Sequence, residues 1–236
     1  DFGTFYQGTQ PTPELLEGIE RLGQELAQVK PNIIVALGNE ALKALTGKSG
    51  IQSRRGYLQA TPHGKVLGTI HPSVVIRDPE SSFYPLLCFD LEKAKREMRT
   101  PALVVPKRTL LLRPTPQEVE HHCRRMMTEL SPVSFDIEPQ MGGTEWHCVA
   151  FSDSPDWAMC GPMTKAWGGV DEAYLEAVTP WVRQLLENPL VPKVAQNAQF
   201  DVLFLRAHYG IRVEPITFDT MTAHHTVYPE LPKSLE

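Results

Sequence analysis

Apolar residues recur at helical spacing near the start of the chain. Leu15, Leu16, Ile19, Leu22, Leu26 and Val29 form one stripe. A period near 3.6 predicts a helix with one buried face. Thr12 supplies a cap, Pro13 the first helical position, and Pro31 a stop. Residues 33–37 (Ile-Ile-Val-Ala-Leu) are apolar without alternation, the pattern of a strand covered on both faces. The pattern then predicts a helix over 39–45 and short strands over 56–60 and 65–70 around the turn Pro62-His63-Gly64. An irregular stretch runs from His71 to Pro79, followed by a helix over 83–98. Alternating strands and helices predict an α/β unit.

Residues 99–107 read as a junction. Beyond it the pattern predicts a strand over 108–112, a helix over 115–130 and a strand carrying Val133, Phe135 and Ile137. A hairpin over 145–152 and 157–162 turns at Asp153-Ser154-Pro155-Asp156. Asp171 and Thr179-Pro180 open two separate helical pieces. A strand over 191–196, a helix over 198–208, a strand over 215–218 and a helix over 220–228 complete the pattern. Two α/β domains are expected, 1–100 and 101–236. No internal repeat and no low-complexity tract interrupts them.

Bulk properties narrow the class. An apolar fraction of 42% suits a globular chain with a core. Residues 1–100 carry 12 Lys+Arg against 11 Asp+Glu, and residues 101–236 carry 11 against 17, so the net charge of −5 lies in the second half. A broad basic stripe for nucleic acid is not expected there. The four cysteines, Cys88, Cys123, Cys148 and Cys160, lack disulfide or Cys-x-x-Cys spacing, so a reduced, intracellular protein is expected. His121, His122 and Cys123 are adjacent on a predicted helix and diverge, so they cannot converge on one ion. No apolar run approaches a membrane span, and no membrane partner is expected. The chain begins with Asp1, not Met, and reads as an excerpt of a longer protein.

The chemistry concentrates in two runs. In Ser134-Phe135-Asp136-Ile137-Glu138, period-two alternation puts Asp136 and Glu138 on one face and the apolar residues on the other. Two carboxylates so close repel unless a cation or proton lies between them. The run Asn197-Ala198-Gln199-Phe200-Asp201 opens a helix after another apolar strand and delivers a third acid. Asp-x-Glu is also common at solvated strand ends, and Asn197 could be an ordinary helix cap. Taken together, three hard oxygen donors suit Mg²⁺ or Mn²⁺. Paired ions of that kind catalyse attack of water on a phosphodiester.

These runs resemble the motifs of DEDD-type 3′–5′ exonucleases, in particular the proofreading domains of family A DNA polymerases. Phe135-Asp136-Ile137-Glu138 is similar to the first motif, and the run 194–201 to the second. Phe218-Asp219-Thr220-Met221 and the run 228–235 resemble the approach to the third. The resemblance covers about residues 105–236. It implies a ribonuclease H-like fold, lacking its C-terminal helix here, in which Asp136, Glu138 and Asp201 are catalytic and hold two divalent ions, with Asn197 near the nucleic acid. The third motif itself, with a fourth metal-binding Asp, has no match before Glu236. In the family pattern, Asp219 is not a ligand. With three carboxylates where the family uses four, the 236-residue piece alone is expected to be weak or inactive.

The first half carries a second resemblance. Residues 31–38, Arg55-Gly56, His71-Pro72-Ser73 with the following 74–78, and the run 90–95 are similar to the C-terminal part of a compact uracil-DNA glycosylase of the iron–sulfur type. This implies a partial α/β/α sandwich over about 13–97, with Arg55, His71 and Arg77, joined by Arg54, facing DNA. Gly18 stands where the family has a cluster cysteine, and residues 1–87 contain none, so no iron–sulfur cluster is expected. The base-stacking and water-activating motifs have no counterpart upstream, so a degenerate DNA-gripping domain is expected.

Joined in this order, the two domains resemble the N-terminal region of bacteriophage family A DNA polymerases. That implies a single-stranded DNA 3′ end as substrate, a polymerase domain C-terminal to this chain and the cytoplasm of an infected bacterium. Two alternatives are a uracil-DNA glycosylase with an appended nuclease-like domain and a non-catalytic DNA-binding module.

Overall fold

The computed structural model describes residues 5–7, 10–78, 82–140, 142–165 and 171–233. The chain divides into two compact units, Asp1–Val105 and Pro106–Glu236.

In the first unit, a two-residue pair, β1 (Tyr6–Gln7) and β2 (Gln10–Pro11), precedes α1 (Pro13–Val29). There follow β3 (Ile34–Leu37), α2 (Gly38–Thr46), α3 (Ile51–Arg54), β4 (Leu58–Thr61), β5 (Gly64–Thr69), α4 (Pro72–Arg77) and α5 (Phe83–Glu97). Thr12 caps α1 by accepting the Leu15 N–H. The three-stranded sheet has the order β3-β5-β4, with β3 parallel and β4 antiparallel to β5. Central β5 is therefore the fully covered strand. β3 is less enclosed than its unbroken apolar run predicts, and Leu37 is exposed. Ala36, Leu42, Leu45 and Val66 form the core, with Leu22 and Leu26 of α1 against it.

Two buried charges organise this unit. Lys65 Nζ donates to Glu97 Oε2 at 2.8 Å and to the carbonyls of Glu97, Thr100 and Ala102. A lysine stays charged inside a protein only with such a set of acceptors. Asp90 accepts from Arg55 through both oxygens, at 2.8 and 3.0 Å, and from Thr69 Oγ1 at 2.7 Å. A Cβ at Gly56 would come within 2.9 Å of Asp90 Oδ1, so the ion pair needs a residue without a side chain there.

The irregular stretch expected after His71 is partly helical. His71 Nδ1 accepts the Ser73 N–H and Pro72 holds the first position, which together start α4. The last part of that expected stretch, residue 79, lies outside the described residues.

The second unit comprises β6 (Thr109–Leu112), α6 (Pro116–Glu129), β7 (Val133–Pro139), β8 (Trp146–Ser154), β9 (Trp157–Pro162), α7 (Glu172–Glu187), β10 (Lys193–Ala195), α8 (Ala198–Tyr209), β11 (Ile216–Asp219) and α9 (Thr220–Val227). Thr115 and Glu118 form a reciprocal capping box at the start of α6. The six-stranded sheet has the order β11-β10-β7-β8-β9-β6. Its centre, β7-β8-β9, is antiparallel, while β10 runs parallel to β7 and β11. Val133, Phe135 and Ile137 pack with Val119, Cys123 and Met126 of α6 and Val178, Val182 and Leu185 of α7. The opposite face of β7 carries Ser134, Asp136 and Glu138.

The two helical pieces expected around Pro180 are one helix, α7. Pro180 is exposed, so the Glu176 carbonyl that loses its N–H partner can turn to water. Val178 and Val182, both buried, hold the helix together on either side. His122 and Cys123 diverge on α6: Cys123 enters the core, and His122 lies over Trp157 with ring centroids 4.5 Å apart.

Candidate active site

The site begins with the pleat of β7. Asp136 stands opposite Ala150 of β8, and Glu138 opposite Cys148. Small neighbours leave both carboxylates room on the open face. On the other edge of β7, β10 pairs only with Val133 and Ser134. The chain leaves β10 at Ala195, turns at Asn197 and enters α8. The edge of β7 beyond Ser134 would therefore present unpaired backbone groups. Asp201, in the first turn of α8 and only 3% exposed, fills that gap. Its Oδ1 accepts the Ile137 N–H at 3.3 Å. Ile137 lies between Asp136 and Glu138, so the third acid meets the strand between the first two.

Electrostatics follow from this crowding. Partial burial, then the Glu138 charge, raises the Asp136 carboxyl above its ordinary value. Burial pushes Asp201 up to about 6; the Ile137 hydrogen bond opposes the shift, and the Asp136 and Glu138 charges add to it. The three acids thus lie within one another's field. A divalent cation would relieve that repulsion, and carboxylate oxygens are the right donors for Mg²⁺ or Mn²⁺. Among the described residues, however, no three His, Cys, Asp or Glu side chains already stand close enough to ligate one ion. In donor chemistry the set fits a divalent ion, and side-chain rotation must bring the oxygens together.

A cavity of about 380 Å³ opens beside Asp136, lined by Ser134, Ala150, Ala158, Val194, Gln196 and Thr220 among others. Cys148 is a neighbour that pattern reading passed over. Burial, then Cys160 and the Glu138 and Asp136 charges, pushes its thiol up to about 12. Its place opposite Glu138 depends on strand register, which no local motif encodes.

Asn197 is exposed and sits in the left-handed region at φ 55°, and its side chain makes no capping bond. The cap comes from Asp219 at the end of β11. Asp219 Oδ1 accepts the Asn197 N–H at 3.1 Å and Oδ2 the Ala198 N–H at 2.8 Å. The same carboxylate caps α9 through Met221 N and Thr222 N at 2.9 and 3.2 Å. Burial raises its pKa, but the four N–H donors outweigh that and hold it below the ordinary value.

In the first unit, His71, which caps α4, and Arg77, its last residue, are exposed, with Arg77 Nε donating to the Ser73 carbonyl at 3.1 Å. Arg55, expected beside them, is committed inside the unit: its guanidinium binds Asp90 and the Leu86 carbonyl. Arg54 donates to the Ser49 carbonyl at 2.9 Å.

Comparison with known proteins places both halves. Residues 6–98 match the Uracil DNA glycosylase superfamily, and residues 115–235 match the family described as 3'-5' exonuclease. A DNA polymerase of Bacillus phage SP01 is 25% identical over 248 residues, covering 91% of this chain and 26% of that protein. DNA polymerase I of Synechocystis sp. is 30% identical over 104 residues, covering 42% of this chain and 10% of that protein. The chain thus spans about a quarter or less of the curated relatives it matches. RNase D of Escherichia coli aligns with a TM-score of 0.39 at 12% identity, covering 54% of this chain and 31% of that structure. No described helix is long and apolar enough to cross a membrane. With more than half of its length matched, and the three acids on β7 and α8 inside the match, the chain belongs to the 3′–5′ exonuclease family, preceded by a domain of the uracil-DNA glycosylase superfamily.

Proposed function

We propose that this chain is the N-terminal part of a DNA polymerase-type replication protein and removes nucleotides from a DNA 3′ end. Asp136, Glu138 and Asp201 carry the reaction and hold two divalent ions, Mg²⁺ or Mn²⁺. When bound, such a pair activates a water for in-line attack and stabilises the leaving 3′ oxygen. The observation that supports this reading is the 3.3 Å bond from Ile137 N–H to Asp201 Oδ1, which brings the third acid to the strand that bears the other two. Asp136 borders the cavity of about 380 Å³, which gives a reacting nucleotide room at the acids. Asn197, exposed at the start of α8, lies beside the DNA. The 3′ end is bound single-stranded, a polymerase domain follows on the same polypeptide, and the work is done in the cytoplasm of an infected bacterium.

The first unit grips DNA through His71 and Arg77 without excising uracil. Both are exposed, at the two ends of α4, whereas Arg55 is held by Asp90. The domains are the glycosylase-like residues 1–100 and the exonuclease-like residues 101–236. The first is read as holding no iron–sulfur cluster, because Gly18 stands where the resembled family has a cluster cysteine.

End-labelled single-stranded DNA tests the polarity. Digestion from the 3′ end shortens 5′-labelled strands stepwise and releases 3′ label at once as mononucleotide. Immediate release of 5′ label, or cleavage of circular strands, would refute it. Release of uracil from uracil-containing DNA would refute the passive role of the first unit.

A further inference from the structure

The exonuclease reading rests on three acids, yet the best-connected carboxylate near them is a fourth, Asp219. It accepts four backbone N–H groups, two at the entry to α8 and two in the first turn of α9. It pairs in register with Ala195, the last residue of β10, which is where the chain departs for α8. Asp219 thus sits at the turn that sets where α8 begins.

That turn is not stable by itself. Asn197 holds a positive φ of 55°, a conformation that Asn tolerates better than most residues but only glycine adopts freely. Its own side chain caps nothing. Without the Asp219 carboxylate, the Asn197 and Ala198 N–H groups at the positive end of the helix lose their acceptors. Asp201 is one turn further along α8, where a rotation of the helix start moves its carboxylate directly. Asp201 in turn meets β7 through a long bond, with its Oδ1 accepting the Ile137 N–H at 3.3 Å.

Resting on the exonuclease reading, we infer that Asp219 is a positioning residue for the nuclease centre: it clamps the start of α8 and thereby sets where Asp201 meets β7. Asp219 touches neither metal nor DNA. It acts through the turn at Asn197 and the first turn of α8.

The test compares the native protein with Asp219→Asn and Asp219→Ala. Asn keeps one acceptor oxygen, and Ala keeps none. The first readout, amide hydrogen exchange at Ile137, needs no activity. In Asp219→Ala the Ile137 amide is expected to exchange about 10-fold faster or more, with the Phe135 amide unchanged. The second is kinetic. With bound positions displaced, kcat is expected to fall by about 100-fold while KM for DNA stays within about 3-fold. The third is a rise in the Mn²⁺ concentration giving half-maximal rate, with Asp219→Asn intermediate on each scale. Unchanged Ile137 exchange and unchanged kcat in folded Asp219→Ala would overturn the inference. So would unfolding of both variants, which would make Asp219 a cap for the fold alone. Native protein without Asp136-dependent digestion would sink the nuclease reading, and Ile137 exchange would still decide the clamp.

Discussion

The backbone N–H of Ile137 donates to Asp201 Oδ1 across 64 residues of chain. β10 stops short of this point on β7, and a carboxylate from α8 takes the place of the missing strand carbonyl. One side chain therefore finishes the sheet edge and completes the acidic cluster. These two demands conflict electrostatically, and the conflict yields the first prediction.

Asp201 has its pKa pushed up to about 6, chiefly by burial. The unfolded value is about 3.9, so the folded protein binds the extra proton more tightly between these limits. Metal-free stability should fall as pH rises through that window and stay low above it. Asp201→Asn removes the charge and should stabilise the metal-free protein by about 1–3 kcal/mol near neutral pH, with little effect near pH 4. Urea unfolding in EDTA measures this. Equal destabilisation at both pH values would show that the Ile137 bond outweighs the charge.

Arg55 and Asp90 form an internal ion pair, with side chains 19% and 4% exposed. Removing one partner leaves the other buried and alone. Arg55→Ala should cost the first unit about 3–5 kcal/mol in denaturant unfolding. A loss near zero would return Arg55 to the pool of residues free to face DNA.

His71 and Arg77 are the exposed candidates of the first unit for nucleic acid. Arg77→Ala should weaken single-stranded DNA binding and lower the salt slope by about one. His71→Ala should weaken binding with a smaller change in slope. Fluorescence titration over a range of salt measures both. Unchanged affinity in the double variant would take the first unit out of DNA binding.

The acids on β7 and α8 were legible because their geometry is local. Period two puts Asp136 and Glu138 on one face, and a helix start places Asp201 one turn in. Most elements were legible for the same reason, through apolar spacing and the Thr12 cap. Arg55 read as a DNA contact because its partner, Asp90, lies 35 residues away. Pro180 read as a break because the pattern does not show that it faces solvent while Val178 and Val182 hold the helix. Asp219 read as a bystander: its task depends on the pairing of β11 with β10, which is set by the whole sheet.

Asp136 belongs to β7, borders the cavity and feels the Glu138 charge, so its loss should abolish chemistry while sparing the fold. The deciding measurement is digestion of 5′-labelled single-stranded DNA by the native polypeptide carrying these residues and by its Asp136→Ala variant. Mg²⁺, Mn²⁺ and EDTA are compared for each. The native protein should produce a ladder of strands shortened from the 3′ end in either metal and none in EDTA. Asp136→Ala, equally folded, should be slower by about 100-fold or more. A native protein that leaves the strand intact, or a variant that digests it as fast, would contradict a metal-dependent centre built on Asp136, Glu138 and Asp201.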